Sequence, residues 1–420
     1  MTTIIKSKLL IDGTGRKPVA DPVVVVEGDT IGAVGVAGEI QVDRDACVID
    51  LSGMTLLPGL IDAHIHLEGW QSMDLMEWMT TPVAVSALRA TVDARRLLEA
   101  GFTAVRCLGG GASIYLKQVI EEGIVRGPRI VTSGRSFIQT SGGADPWDLP
   151  VECVQVLARL GQTLADTVDG PEECRLGVRR RLREGADCIK ILTTGAVHSE
   201  YNPPTRVCFT QEETDALVDE AHRLGLRVAA HAHGTAGIRT AILAGVDTIE
   251  HGSYLDQECV ELMLERGTYL VPTFSVARVN LDPGPDGLPD SGYGLRRARE
   301  IQDIHRQGFI RAYQAGVKIA AGTDFIGVPP MNHGLNAMEL ECLVEAGMAP
   351  MEAIVAATSS AAEAIGLGEK AGTVAAGRWA DIVAVEGNPL ERIALLREVG
   401  FVMKSGEIIK NRMGNVHERS

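Results

Sequence analysis

The stretch from Pro58 to His66, Pro-Gly-Leu-Ile-Asp-Ala-His-Ile-His, is the most informative part of the sequence. Its short apolar run, flanked by Pro and Gly, predicts a buried strand. Because alternate residues of a strand face the same side, His64 and His66 are predicted to point to one face. Two imidazoles at the carboxyl end of a strand can chelate one metal ion. The alternative is a buried, hydrogen-bonded pair of histidines, which an isolated His-x-His would favour.

Short apolar runs and helical patterns alternate through the middle of the chain. The eight runs are residues 60–66, 103–108, 130–133, 188–192, 227–233, 246–251, 269–274 and 317–324. Helices are predicted over residues 83–100, 171–185, 210–225, 236–245 and 350–365. Eight strands alternating with helices predict an α/β fold, a closed (β/α)8 barrel of the TIM type. An open doubly wound sheet is the alternative, but it usually has a Gly-rich phosphate loop after its first strand, and here that strand ends in histidines.

The two ends of the chain show a different pattern, with short strands separated by turns. Strands are predicted over residues 3–11, 23–27, 30–36 and 47–51, then over 381–385 and 399–404, with a hairpin at 404–409. We expect residues 1–57 together with 368–420 to form a small β-sandwich domain. The barrel then occupies residues 58–367.

The composition of the chain indicates which classes of partner and which compartment to expect. The chain has 420 residues and a formal net charge of −15, so we expect no nucleic-acid partner. It has no run of eighteen apolar residues, which predicts no membrane span, and its first residues do not resemble a signal peptide. The eight cysteines form no C-x-x-C pair and are typical of free thiols in a reducing compartment. We therefore expect a cytoplasmic enzyme acting on a small molecule, and a homo-oligomer.

Further polar residues close other predicted strands. His231 and His233 end the fifth run, His251 the sixth and Asp324 the eighth. Barrel active sites are built at this rim, so the convergence predicts a site and outweighs the alternative of packed histidines and a turn aspartate. Lys190 lies within the apolar fourth run, where burial would lower its pKa and free its amine for chemistry. A lysine paired with a buried carboxylate is the alternative.

These features together resemble the binuclear amidohydrolase superfamily. The resemblance rests on LLPGLIDAHIHLEG at 56–69, AAHAHGTAGIRTAILAGVDTIEHG at 229–252, AGTDF at 321–325 and AGTVAAGRWADIVAVEGNPL at 371–390. The histidine-rich block and GMAPMEAIVAATSSAAEAIGL at 347–367 look most like the branch of prolidases, dipeptide carboxypeptidases, and imidazolonepropionase-like and ochratoxinase-like amidases.

The resemblance implies roles for the rim residues. His64, His66 and Asp324 would hold one divalent metal ion, with zinc expected, and His231 and His251 would hold the other. Lys190, carboxylated by CO2, would bridge the two ions, and a bridging hydroxide would attack the substrate. Asp324 would also accept the proton of that hydroxide and pass it to the leaving nitrogen.

The resemblance leaves two residue assignments open. His233 is a candidate for binding a substrate oxygen, but either His231 or His233 could be the metal ligand of the fifth strand. Several relatives carry a histidine in the loop after strand three, where residues 140–145 of this chain have none. That difference weakens any transfer of a prolidase substrate. Other rim candidates are Arg135, Gln139, Trp147, Tyr201, Arg206 and His333.

We consider three hypotheses about function. The favoured one is hydrolysis of a peptide-like amide in a dipeptide or N-acyl amino acid, as by a dipeptidase or carboxypeptidase. The second is the same machinery acting on an aryl carbamate or urea, a toxin amide, a lactone or a cyclic amide such as imidazolonepropionate. The third is a catalytically silent structural homologue, which the intact set of predicted ligands argues against.

Overall fold

The computed structural model describes residues 2–36, 38–40, 46–281, 293–412 and 415–417. Its strands are β1 Thr2–Leu10, β2 Val19–Ala20, β3 Pro22–Glu27, β4 Thr30–Val36, β5 Cys47–Pro58, β6 Leu60–Ile65, β7 Phe102–Cys107, β8 Arg129–Thr132, β9 Ser136–Ile138, β10 Ala165–Thr167, β11 Cys188–Leu192, β12 Arg227–Ala232, β13 Thr248–His251, β14 Tyr269–Val271, β15 Ile382–Glu386, β16 Phe401–Lys404, β17 Glu407–Asn411 and β18 Asn415–His417. Its helices are α1 Leu75–Thr80, α2 Val83–Glu99, α3 Ala112–Glu121, α4 Val151–Arg159, α5 Pro171–Glu184, α6 Gln211–Arg223, α7 Thr235–Ala244, α8 Gln257–Arg266, α9 Phe274–Leu281, α10 Tyr293–Ala315, α11 Met338–Glu345, α12 Pro350–Ala356 and α13 Ser359–Ala364, with a 3-10 helix at Ile393–Arg397.

The strands from the two ends of the chain form one nine-stranded sheet. Its main path runs β17-β16-β15-β5-β1-β3-β4, with β18 on β5 and β2 on β1. The predicted hairpin is present as β16 and β17, and its turn residues Ser405 and Gly406 both have positive φ. Alternation along β1 and β5 buries residues such as Ile5, Ile49 and Leu56 in a core shared with β15 and β16. The two ends therefore pair as predicted, and the description of this region as a separate sandwich domain remains a prediction.

The middle of the chain contains two parallel sheets. One has the order β6-β7-β8 and the other β10-β9-β11-β12-β13-β14. Seven of the eight predicted runs contain a strand, and each predicted helix is helical at least in part. Their apolar side chains pack with those of the surrounding helices into one large cluster, which includes Val105, Ile189, Val228 and Ile249.

Hydrogen bonds join the two parallel sheets at both edges. On one side, Asp187 donates its backbone N–H to the carbonyl of Thr132 at 2.8 Å. On the other, Ala320 N bonds to Leu270 O at 3.0 Å, and Ala63 N bonds to Ala321 O at 2.8 Å. The strands are thus linked all the way round, as a barrel requires.

The eighth predicted run, 317–324, differs from the prediction. It forms only isolated bridges, Leu270 with Ile319 and Ile65 with Phe325, and no continuous strand. The backbone is diverted at Asp324, which adopts a φ of 59° and donates its N–H to His64 O at 2.7 Å. That left-handed conformation is incompatible with an extended strand.

The helix predicted over 350–365 is divided into α12 and α13. The carbonyls of Ala356 and Ala357 turn away from the helix axis and accept hydrogen bonds from Ala321 N and Ile61 N, both at 2.8 Å. Those two bonds tie the helix to β6 and to the segment 317–324, and the helix is interrupted at the residues that make them. Among the described residues, no helix combines the length and apolar character needed to cross a bilayer.

Candidate metal centre and family

The register of the parallel strands places Lys190 and His231 on one face of the sheet. Leu192 of β11 lies opposite His231 of β12, and His231 lies opposite Glu250 of β13. Lys190, two residues before Leu192, shares its face, because alternate residues of a strand point the same way. The histidines then emerge at the carboxyl ends of the strands, the end at which barrel active sites form.

His64, His66 and Asp324 form the first cluster. Each offers a ligand atom, and these atoms lie within 4.8 Å of one another. Asp324 Oδ1 is 3.1 Å from His66 Nε2 and 3.3 Å from His64 Nε2. Burial by itself would raise the pKa of Asp324, but His64, His66 and Lys190 outweigh it and hold that pKa below its ordinary range. The carboxylate therefore stays ionised, which is the form that binds a cation.

His231, His233 and His251 form the second cluster, and all three are buried. Their ring centroids are 4.6 to 4.7 Å apart. Burial and then the neighbouring histidines lower the pKa of His233 and His251 well below the usual value. Burial also lowers the pKa of His231 to about 3, so all three rings are neutral near pH 7. Neutral imidazole is the form that ligates a metal.

The hydrogen bonds of these rings show which nitrogen is free. His231 Nε2 lies 3.1 Å from the carbonyl of Gly195, and a carbonyl can only accept, so Nε2 carries the hydrogen and Nδ1 keeps its lone pair. In the same way, His64 Nδ1 donates to the carboxylate of Glu250 at 2.8 Å and leaves Nε2 towards Asp324. His233 uses Nδ1 with Ser253, which leaves its Nε2 available. Both His231 and His233 thus retain a free ring nitrogen, and the choice of ligand between them remains a prediction.

Lys190 is buried at 3% exposure, and its Nζ has no hydrogen-bond partner among the described residues. Burial lowers its pKa to about 8, although Glu250 and Asp324 act in the opposite direction. An unpartnered buried ammonium group is costly, whereas a carboxylated amine would be an anion suited to divalent ions. Among the described residues Lys190 forms no hydrogen bond to a carboxylate, so the alternative of a lysine paired with a buried carboxylate gains no support from hydrogen bonding and stays a prediction. The donor set of two clusters and this amine fits a pair of metal ions.

The sequence interpretation missed the charges that hold the first cluster. Arg106 NH2 donates to Glu250 Oε1 at 2.8 Å, Arg106 Nε donates to Ala63 O at 2.7 Å, and Glu250 in turn holds His64. Asp62 accepts from His64 N at 3.1 Å and from Thr323 N at 3.0 Å, which joins the first strand to the eighth segment. Asp62, Arg106 and Glu250 are each a charged residue inside an otherwise apolar run, and that pattern could have identified them from the sequence.

The other predicted rim residues have varied roles. Arg135 makes an ion pair with Asp166, with Nε–Oδ1 at 3.0 Å. Trp147 and Tyr201 stack with ring centroids 5.4 Å apart, and Arg206 NH1 donates to Tyr201 O at 3.0 Å. The remaining two are Gln139, whose carbonyl accepts from Gly142 N, and His333, which contacts His66 O.

A model of the amidohydrolase family matches residues 55–409. The chain belongs to the amidohydrolase family. It is 35% identical to ochratoxinase of Aspergillus niger over 97% of this chain and 86% of that protein. The structure of a Xaa-Pro dipeptidase with methionine in its active site has a TM-score of 0.85 and 36% identity, over 97% of this chain and 99% of that one. A prolidase complexed with N-methylphosphonate-L-proline has a TM-score of 0.89 and 32% identity, over 98% and 100% of the two chains.

These similarities confirm the predicted family and the prediction of a hydrolase that acts on carbon–nitrogen bonds. An amidohydrolase of this kind has a TIM barrel with an additional domain, in agreement with the linked parallel sheets and the separate mixed sheet. Members of the family generally bind metal ions, and the two clusters are where this chain could hold them.

Proposed function

We propose that this amidohydrolase is a binuclear enzyme that cleaves the amide bond of a dipeptide or an N-acyl amino acid. The observation that carries the proposal is the convergence of two metal-ligating clusters on one buried, unpartnered lysine. The two clusters adjoin each other, because the ring centroids of His64 in the first and His251 in the second lie 5.2 Å apart. The similar Xaa-Pro dipeptidase and prolidase support the substrate class.

The ligand assignment is the one that the family resemblance implies, because His231 and His233 both retain a free ring nitrogen. His64, His66 and Asp324 would hold one zinc ion, His231 and His251 would hold the other, and carboxylated Lys190 would belong to both. When bound, the ions would supply a water of lowered pKa and polarise the scissile carbonyl.

The side chains of the chain itself perform the remaining tasks. Asp324, kept ionised by its neighbours, accepts the proton of the attacking water and delivers it to the leaving nitrogen. His233 presents Nε2 to a substrate oxygen, because Ser253 already occupies its Nδ1. Glu250, fixed by Arg106, keeps the hydrogen of His64 on Nδ1 and so keeps Nε2 available to the metal.

A second candidate is a non-peptide carbon–nitrogen bond or an ester, including a toxin amide, an aryl carbamate or urea, a lactone or a cyclic amide such as imidazolonepropionate. The 35% identity with ochratoxinase over almost the whole chain favours it. The loop at 140–145 also supports this candidate, because it lacks a histidine. The Thr140 hydroxyl of this loop donates a hydrogen bond to Asp169.

The deciding experiment is a hydrolysis screen with zinc-loaded protein over N-acyl amino acids, Xaa-Pro and Xaa-Arg/Lys dipeptides, aryl carbamates and lactones. We expect turnover of a dipeptide or an N-acyl amino acid, its loss in His64→Asn, and its retention in His222→Asn. His222 is the control because it is an exposed histidine of α6 that bonds to Asp247 and belongs to neither cluster. Exclusive turnover of carbamates or lactones would establish the second candidate. No turnover of any substrate with two ions bound would support the silent homologue.

We extend the proposal to the domain organisation, the location and the oligomeric state of the protein. Residues 1–57 with 368–420 would form the β-sandwich domain around a barrel at 58–367, which the shared sheet of both ends supports. A cytoplasmic location is supported by the eight free cysteines. A homo-oligomer is a further prediction, for which light scattering on the purified chain is the test.

A further inference from the structure

Two strand-end residues of the candidate centre have an unusual backbone conformation. His251 has a φ of 71° and Asp324 a φ of 59°, both in the left-handed region that non-glycine residues seldom adopt. Such a conformation costs about 1–3 kcal/mol and persists only where the surroundings fix it. The contacts that fix these residues therefore help to set where the ligands point.

His305 of α10 makes one such contact. It is 5% exposed, and its Nε2 lies 2.8 Å from the carbonyl oxygen of His251. Because a carbonyl only accepts, His305 is the donor in this contact, and the backbone of Pro272 is a second hydrogen-bond partner of the ring. The ring also packs on Phe274, with centroids 4.6 Å apart. The helix thus holds the main chain of His251 at the point where the strand turns.

His333 makes the corresponding contact in the other cluster. It is 3% exposed, and its Nε2 donates to the carbonyl oxygen of His66 at 2.9 Å. The backbone N–H of His66 is held as well, by Phe325 O at 2.9 Å. Each cluster therefore has one buried histidine outside it that donates to the main-chain carbonyl of one of its members.

We propose that His305 is a positioning residue for the cluster of His231, His233 and His251, and that His333 has the same role for the cluster of His64, His66 and Asp324. Each histidine directs the imidazole of one ligand by holding its carbonyl. The inference rests on the proposed function, because it assigns each histidine to one of the two metal ions. It predicts that loss of either donor weakens one ion and spares the other.

The test is a zinc titration of His305→Phe, His305→Gln and His333→Phe against a chromophoric chelator. We expect His305→Phe to bind one of its two ions about 10–100-fold more weakly, on the scale typical of outer-shell partners of metal ligands. His305→Gln should restore most of that affinity, because its amide N–H can donate to the same carbonyl. A purely structural role would lower the stability of the fold without weakening one ion selectively.

Double variants that combine His251→Asn with each substitution show which cluster loses affinity. His251→Asn should retain only the ion of the other cluster. In that background, adding His305→Phe should leave the affinity for the retained ion unchanged, whereas adding His333→Phe should weaken it. Equal weakening of both ions by His305→Phe, unchanged affinity in His305→Phe, or no recovery in a folded His305→Gln would overturn the inference. A wild-type chain that binds fewer than two ions would contradict the proposed function itself, before any variant is compared.

Discussion

Replacing Glu250 by Gln should both destabilise the fold and weaken metal binding. Glu250 is fully buried and accepts hydrogen bonds from Arg106 Nη2 and from His64 Nδ1, each at 2.8 Å. A glutamine has the same shape but only one accepting atom. If the oxygen of the glutamine amide faces Arg106, the amide nitrogen faces His64. The hydrogen of the His64 ring must then move from Nδ1 to Nε2, and Nε2 can no longer bind a metal ion. If its oxygen faces His64, the guanidinium of Arg106 faces a second donor.

The size of the effect can be worked out in two ways. Removing one partner of a buried ion pair costs about 3–5 kcal/mol, because the other charge is left buried without compensation. Burial would raise the pKa of Glu250, but Arg106 and His64 outweigh it and lower the pKa from 4.5 to about 2. That depression corresponds to about 3 kcal/mol of stability. The two routes agree, so we expect Glu250→Gln to lose about 3 kcal/mol at neutral pH.

The pH dependence has a definite sign. A carboxyl group with a depressed folded-state pKa stabilises the protein fully above its unfolded value and loses that contribution as the pH falls through the folded value. The difference between wild type and Glu250→Gln should therefore shrink as the pH falls from 4.5 towards about 2.

Urea denaturation of the metal-free proteins measures this difference, with Glu258→Gln as the control. Glu258 pairs with Arg239 at 3.0 Å, but both side chains are more than half exposed, so its loss should change the free energy of unfolding by at most about 1 kcal/mol. The reasoning is refuted if the two variants have the same unfolding free energy at pH 7, or if the difference for Glu250 does not decline with acid. Zinc affinity of Glu250→Gln should also fall about 10–100-fold.

Three other predictions concern the candidate centre directly. Lys190→Ala should lose one ion and its activity, and added short carboxylic acids should restore part of that activity by occupying the bridge; full activity without them would refute the carboxylated lysine. Asp324→Asn should lower kcat about 10²–10⁴-fold or more, since a proton acceptor is removed, while most of the metal stays bound. Metal content and kcat measured on one preparation decide this, and near-normal kcat with full metal would move the proton transfer to His233. Chelation should abolish hydrolysis and added zinc should restore it, and activity that survives verified removal of metal would exclude a metal-dependent reaction.

Much of the fold followed from local pattern. Strand and helix periodicities along residues 60–251 depend on which side of each element is buried, and neighbouring residues already carry that information. The polar residues that end the runs were equally visible, because a parallel barrel places the carboxyl ends of its strands at one rim. His64, His66, His231, His251 and Asp324 could thus be grouped from the sequence alone.

Tertiary structure decided what depends on partners far apart in the chain. The helix at 350–365 divides because Ala357 bonds to Ile61 of β6, about three hundred residues earlier, and Ala356 bonds to Ala321, 35 residues earlier, although their own sequence favours a continuous helix. Arg106 and Glu250 become a pair only when β7 and β13 meet inside the barrel, where a buried charge requires a partner. The sequence determined which residues reach the rim, because a strand's alternation is local. Which nitrogen of each histidine is free to bind a metal was decided only by the folded chain, because that depends on which distant carbonyl or carboxylate accepts its hydrogen.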